Sequence, residues 1–143
     1  MSNRVLSTIS LLLVGCTTQY TQRQLEPEVQ YSEMQILDVL ETALRHRLAI
    51  VPLPRHATCY VYIERGHVTP LKFAARFSDY HFVVRVDVAQ QPYLVPWRSL
   101  RLGGTMHNHA WVVVGDPAGR MIYELRRKDG HWIVVGEEEP ILA

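Results

Sequence analysis

Thr58-Cys59-Tyr60-Val61-Tyr62-Ile63 alternates without a break. Cys59, Val61 and Ile63 fall on one side and Thr58, Tyr60, Tyr62 and Glu64 on the other. A period of two belongs to a half-buried strand. Upstream the period is different. Leu37, Leu40, Leu44 and Leu48, flanked by Ile36 and Ala43, recur at helical spacing and make one apolar stripe. Pro52 and Pro54 stand where the period changes. The chain therefore reads as a helix that ends at two prolines and a sheet that begins at residue 57, an α+β domain.

The helix has a defined beginning. Ser32 and Gln35 have the spacing of a capping box, and Tyr31 and Ile36 stand where a hydrophobic staple would. Glu33 and Asp38 lie toward the start and Arg45, His46 and Arg47 toward the end, in keeping with the helix dipole. The leucine stripe is expected to pack on the sheet that follows.

Downstream the spacing predicts further strands. Leu71, Phe73, Ala75 and Phe77 alternate with Lys72, Ala74 and Arg76, which predicts a second strand. After a turn at Ser78-Asp79, Phe82, Val84, Val86 and Val88 alternate with His81, Val83, Arg85 and Asp87. The stretch 89–105, with Pro92, Pro96, Gly103 and Gly104, reads as a long connection with a helical turn near Trp97–Leu100, a rim or lid of the kind that long loops often form. Strands are then expected over Met106–Gly115, Arg120–Arg126 and His131–Val135, with turns at Asp116-Pro117-Ala118-Gly119 and Lys128-Asp129-Gly130. Glu137-Glu138-Glu139-Pro140 reads as a solvated tail. The expected architecture is one N-terminal helix packed on a curved antiparallel sheet of about six strands, forming a single domain over residues 31–143.

Lys128-Asp129-Gly130-His131-Trp132-Ile133-Val134-Val135-Gly136-Glu137 resembles the final strand of proteins in the NTF2-like and cystatin-like group. The resemblance implies a bent sheet around a helix and carries no activity with it. The NTF2-like pattern has more helices before the sheet than this chain offers.

The N-terminus has another character. Arg4 precedes an apolar run from Val5 to Val14, which ends at Gly15-Cys16. A basic start, a short apolar centre and a small residue make the layout of a secretory signal peptide. The run is about ten residues long, against the ~20 that a spanning helix needs. Leu13-Val14-Gly15-Cys16 resembles the lipobox of bacterial lipoproteins. The resemblance implies that residues 1–15 are removed as a signal peptide. It also implies that Cys16 takes a diacylglycerol thioether, with a palmitate-type acyl group on the new amine. Thr17 in place of Asp after the cysteine implies sorting to the outer membrane, with the domain on its periplasmic face. Residues 16–30, polar and without apolar period, then read as a lipidated tether.

Processing would leave roughly 128 residues, enough for one domain with its own core. Lys+Arg total 15 and Asp+Glu 14, a balance that argues against a nucleic-acid partner and shows no polybasic excess for an anionic surface. With Cys16 lipidated, Cys59 is the one remaining thiol, so no intrachain disulfide can form. Its alternation with Val61 and Ile63 predicts a buried position.

Three constellations could carry chemistry. His107-Asn108-His109 would put two imidazoles on one strand face, but a catalytic zinc normally takes three protein ligands and 110–115 supplies none, so no metal or cofactor is expected. His109-Ala110-Trp111-Val112 resembles the His-Ala-Trp-Val segment of transglutaminase-like cysteine enzymes. That resemblance implies His109 as base and Cys59 as nucleophile, with Asp116 or Glu124 as orienting acid. In that family the cysteine opens a helix, whereas Cys59 lies in a strand-forming run. The third is a surface. Tyr60, Tyr62, Arg85, His107, His109 and Trp111 are expected on the face opposite the helix, where aromatic, cationic and imidazole groups suit a small ligand, a glycan or a peptide. The chain is thus expected to be a membrane-anchored, non-enzymatic binding or envelope-assembly module, with a cysteine hydrolase or transferase as the alternative. The direction in which Cys59 points separates the two.

Overall fold

A computed structural model of the chain describes residues 27–54, 56–65, 68–85 and 96–140. The leader, Cys16, most of the tether and the alternation expected at Val86 and Val88 lie outside the described residues.

The first helix, α1 (Glu33–Ile50), starts as its sequence dictates. The Ser32 hydroxyl accepts from the Gln35 backbone N–H at 3.3 Å, and the Gln35 side chain accepts from the Ser32 N–H at 2.9 Å. Two backbone donors that the first turn leaves unpaired are thereby satisfied. Ile36, Leu37, Leu40, Ala43, Leu44 and Leu48 are all buried, so the apolar stripe is the packed face. Strand β1 (Thr58–Arg65) follows with Cys59, Val61 and Ile63 directed into the same core.

The next element corrects the sequence reading. Where a strand was expected over Leu71–Phe77, the chain forms a short helix, α2 (Pro70–Ala75). Phe73 and Phe77, four residues apart, are fully buried with ring centroids 5.1 Å apart, while Leu71 is 81% exposed. The alternation of Leu71, Phe73, Ala75 and Phe77 imitates a strand, but only the two phenylalanines bury, and their spacing is helical. Pro70 occupies a first-turn position, where its missing N–H costs nothing.

That helix changes the sheet. A strand that returns through a helix runs parallel to its predecessor. β2 (His81–Arg85) accordingly pairs parallel with β1, from Thr58 opposite His81 to Tyr62 opposite Arg85. The expected long connection is a second correction, because its latter half is strand β3 (Trp97–Met106), also parallel to β1. Gly103 and Gly104 read as loop residues, yet they sit inside β3 because Trp111 of the neighbouring strand lies against them. A Cβ at Gly104 would stand 3.3 Å from the Trp111 ring.

The remaining strands, β4 (His109–Asp116), β5 (Gly119–Lys128) and β6 (His131–Glu138), join by tight hairpins and pair antiparallel. Asp129 and Gly130 both have positive φ (52° and 78°), which makes the last hairpin the primed turn that Asp-Gly favours. β6 runs on through Glu137 and Glu138, which were expected in a solvated tail. The result is an open six-stranded, mostly antiparallel sheet of order β2-β1-β3-β4-β5-β6 with one main helix, an α+β fold. The two parallel pairings flank β1, so the sheet is not wholly antiparallel as expected.

One polar cluster is built into the core. Arg47, near the end of α1, grips Asp116, at the end of β4, through Nε at 2.7 Å and Nη2 at 3.2 Å. Arg98 of β3 brings a second guanidinium to 4.0 Å from Asp116 and donates to the Val51 carbonyl at 3.0 Å. All three side chains are buried. Burial works against the charged carboxylate, yet the Arg47 hydrogen bonds, the Ala118 N–H and the two guanidinium charges outweigh it and hold the Asp116 carboxyl below its ordinary range.

Removing Asp116 would strand two buried cations. Asp116→Ala is expected to cost about 3–5 kcal/mol of stability in urea unfolding at neutral pH. A carboxyl held below its unfolded value contributes stability that is complete above about pH 4 and is lost as pH falls through the folded value. Stability measured from pH 7 downward should therefore be level until that range and then drop, and the Asp116→Ala variant should lack this part of the drop.

Candidate functional site

Strand register decides which residues can meet. Cys59, Val61, Leu100, Val112, Val114, Tyr123 and Leu125 face the helices. The intervening residues face the other way. Tyr60, Tyr62, Arg85, His109 and Trp111 therefore share the outer face, as the alternation implied, but β3 lies between Tyr60 and Trp111. The Arg85 guanidinium lies 5.9 Å from the Tyr60 ring centre. Tyr62 is only 4% exposed, which leaves it little surface to offer a ligand. His107 does not join the set. β3 ends at Met106, and His107-Asn108 is the two-residue turn into β4, whose Asn108 carbonyl accepts from the Arg127 N–H at 3.0 Å. The two imidazoles expected on one strand face are thus a turn residue and a strand residue.

The densest arrangement on the outer face centres on His109. Its ring packs at a tilt of 39° against Trp111 with centroids 4.1 Å apart, and its Nε2 lies 2.6 Å from Glu124 Oε1. Trp111 and Glu124 are directly opposed across β4 and β5, as are His109 and Arg126. The cross-strand diagonal therefore brings the imidazole to the carboxylate. Arg126 Nη2 stands 3.9 Å from the same oxygen. Gly136 of β6 leaves room for the carboxylate, since a Cβ there would come within 3.1 Å of Glu124 Oε2. The set offers an aromatic plate, an imidazole and a guanidinium, all half-buried or exposed.

The nucleophile set does not assemble. Of Cys59, His109, Asp116 and Glu124, only His109 and Glu124 meet. Cys59 is fully buried on the helix face, and burial pushes its thiol up to about 11, with the Arg98 charge acting weakly in the opposite direction. A reactive thiolate needs the reverse, a lowered pKa beside its base. His109 lies on the far side of the sheet and two strands away. Asp116 is on the core side and committed to Arg47. Among the described residues no group of three His, Cys, Asp or Glu side chains comes together as a metal site.

The sequence reading missed a cavity of about 470 Å³ at the β3–β4 hairpin, next to His109. Its walls include His107, His109, Arg126, Arg127 and Lys128, together with Pro27, Val29 and Met106. Near-neutral composition hides such a cluster. The signal was present in Arg126-Arg127-Lys128, three cations in succession at the end of a strand.

Comparison of the chain with protein-family models, with curated proteins and with solved structures finds no match. The chemistry of the site is therefore read from its own side chains. For Cys59 the expectation is definite. Iodoacetamide at neutral pH should leave it unmodified in the folded domain and alkylate it once denaturant has opened the core, as mass spectrometry would report. Rapid labelling of the folded protein would mean a reactive, accessible thiol.

Proposed function

We propose that the chain is a bacterial lipoprotein whose folded domain is a binding module. In this reading residues 1–15 are a signal peptide, Cys16 carries the lipid, and residues 16–30 tether the domain at the periplasmic face of the outer membrane. The outer sheet face serves as the ligand surface for a peptide or glycan of the envelope, and no catalytic step is assigned.

The observation that carries the binding reading is the Trp111 plate. It lies on Gly104 with His109 packed at a tilt beside it and Glu124 fixing the imidazole, on the face that the helices leave uncovered. Aromatic side chains held in place contribute contact area with little ordering cost, and adjacent polar groups orient the ligand. The anchor rests on Leu13-Val14-Gly15-Cys16 and the short apolar run before it.

Two measurements check this. Cys16→Ala should move the chain from the membrane fraction to the soluble fraction of the cells that express it; unchanged partition would remove the anchor. A photocrosslinker at Arg101, which is exposed on the outer face, should trap a partner in cells, and Trp111→Ala should abolish the product. The same probe at Met34, exposed on α1, should trap none. Crosslinks from Met34 alone, or crosslinks indifferent to Trp111, would contradict the assignment of the face.

A further inference from the structure

We propose that the cavity at the β3–β4 hairpin receives the phosphate of an anionic phospholipid in the membrane that anchors the chain. The orientation part of this inference rests on the lipid-anchor reading above, whereas the binding chemistry stands on the cavity itself.

The charges are the first observation. Alternation along β5 sends Arg126 to the outer face with His109 and Arg127 to the side of Trp132, so cations reach the cavity from both sides of the sheet. Among the described residues no acidic side chain lines it. The Glu124 carboxylate stands 3.9 Å from Arg126 and is engaged by His109. Among the described residues, Arg127 and Lys128 have no ion-pair partner at all. The arginines that pack against α1 are matched: Arg47 has Asp116, Arg76 has Asp38 and Glu41, and Arg45 has Glu41 and Asp79. Guanidinium groups suit phosphate oxygens through paired N–H donors, and a lysine adds a compact charge.

Part of the lining is apolar. Val29 and Met106 line the cavity with Pro27, which suits a group that is ionic at one end and hydrocarbon at the other. An inorganic ion would have no use for that part.

Position is the third observation. The last residues of the tether and Tyr31 after them are fastened to the cavity rim. Val29 donates its N–H to the Thr105 carbonyl at 2.9 Å and accepts from the Thr105 hydroxyl at 2.7 Å, and the Tyr31 hydroxyl donates to the Met106 and His109 carbonyls. Pro27, two residues before Val29, thus stands on the wall of the cavity. Ten residues separate Pro27 from Cys16, and whatever their path the eleven Cα steps reach at most about 38 Å. A lipid on Cys16 keeps this end of the domain near the headgroups. Each cation held at an anionic surface strengthens binding about fivefold, within a Debye length.

The test uses residues 16–143 with Cys16→Ala, which contains every described element and the whole core but no lipid. Sedimentation with phosphatidylglycerol vesicles should bring the chain down, and phosphatidylcholine vesicles should not. Arg127→Gln with Lys128→Gln should weaken the phosphatidylglycerol binding about 25-fold. A control double variant, Lys72→Gln with Arg120→Gln, removes the same charge from exposed positions away from the cavity and should bind like the parent. Circular dichroism confirms that both variants fold. Equal loss in the control would mean that net charge, not the cavity, does the binding, and equal sedimentation with both lipids would overturn the proposal outright. Displacement by millimolar inorganic phosphate at constant ionic strength would make the occupant a free phosphate and end the lipid assignment. Because this chain carries no lipid, its result is independent of whether Cys16 is an anchor.

Discussion

Both helices lie on one face of the sheet, and that asymmetry organises the rest of the molecule. α1 contributes its leucine stripe and α2 its two phenylalanines to a single core built on the inward residues of β1, β3, β4 and β5. The helices also hold each other. Arg76, just past α2, reaches Asp38 at 2.7 Å and Glu41 at 3.3 Å on α1, while the Arg45 guanidinium covers the Phe77 ring at 4.6 Å. Once one face is committed in this way, strand alternation assigns every remaining side chain. A slip of one residue would exchange the core for the surface, so the register is strongly specified.

The Arg47–Asp116 pair ties the end of α1 to the end of β4 inside that core. A buried ion pair adds little net stability over a packed apolar alternative, because two charges must be desolvated to form it. Its geometric demand is the larger effect. A bidentate contact fixes the axial position of α1 over the sheet in a way that leucine packing does not, and Arg98 extends the same lock to β3 and to the Val51 carbonyl.

Much of this was legible in the sequence. Ser32 and Gln35 announce the start of α1, the alternation around Cys59 announces β1 and its buried side, and Asp129-Gly130 announces the last hairpin. The failures have physical causes. In Leu71–Phe77 a strand period and a helix period coincide on the phenylalanines, and only the exposure of Leu71 separates them. Missing α2 meant missing the parallel pairings, since the crossover determines strand direction. β3 was obscured by two glycines that exist to receive Trp111, a partner unknown before the strands are paired. At the site, the residues of the outer face were legible from alternation, but the His109–Glu124 contact is a cross-strand diagonal that no local pattern contains. The cation cavity was hidden because charge balance is a sum over the chain, whereas a binding site depends on where the charges stand.

The two-faced sheet has one most direct test. Nuclear Overhauser contacts in the labelled domain should connect the Cys59 β-protons to core methyls of α1 and connect the Trp111 indole to the Gly104 α-protons and the His109 ring. Contacts between Cys59 and His109, or between Trp111 and the α1 leucines, would place those side chains on the same face and contradict the fold on which the ligand surface depends.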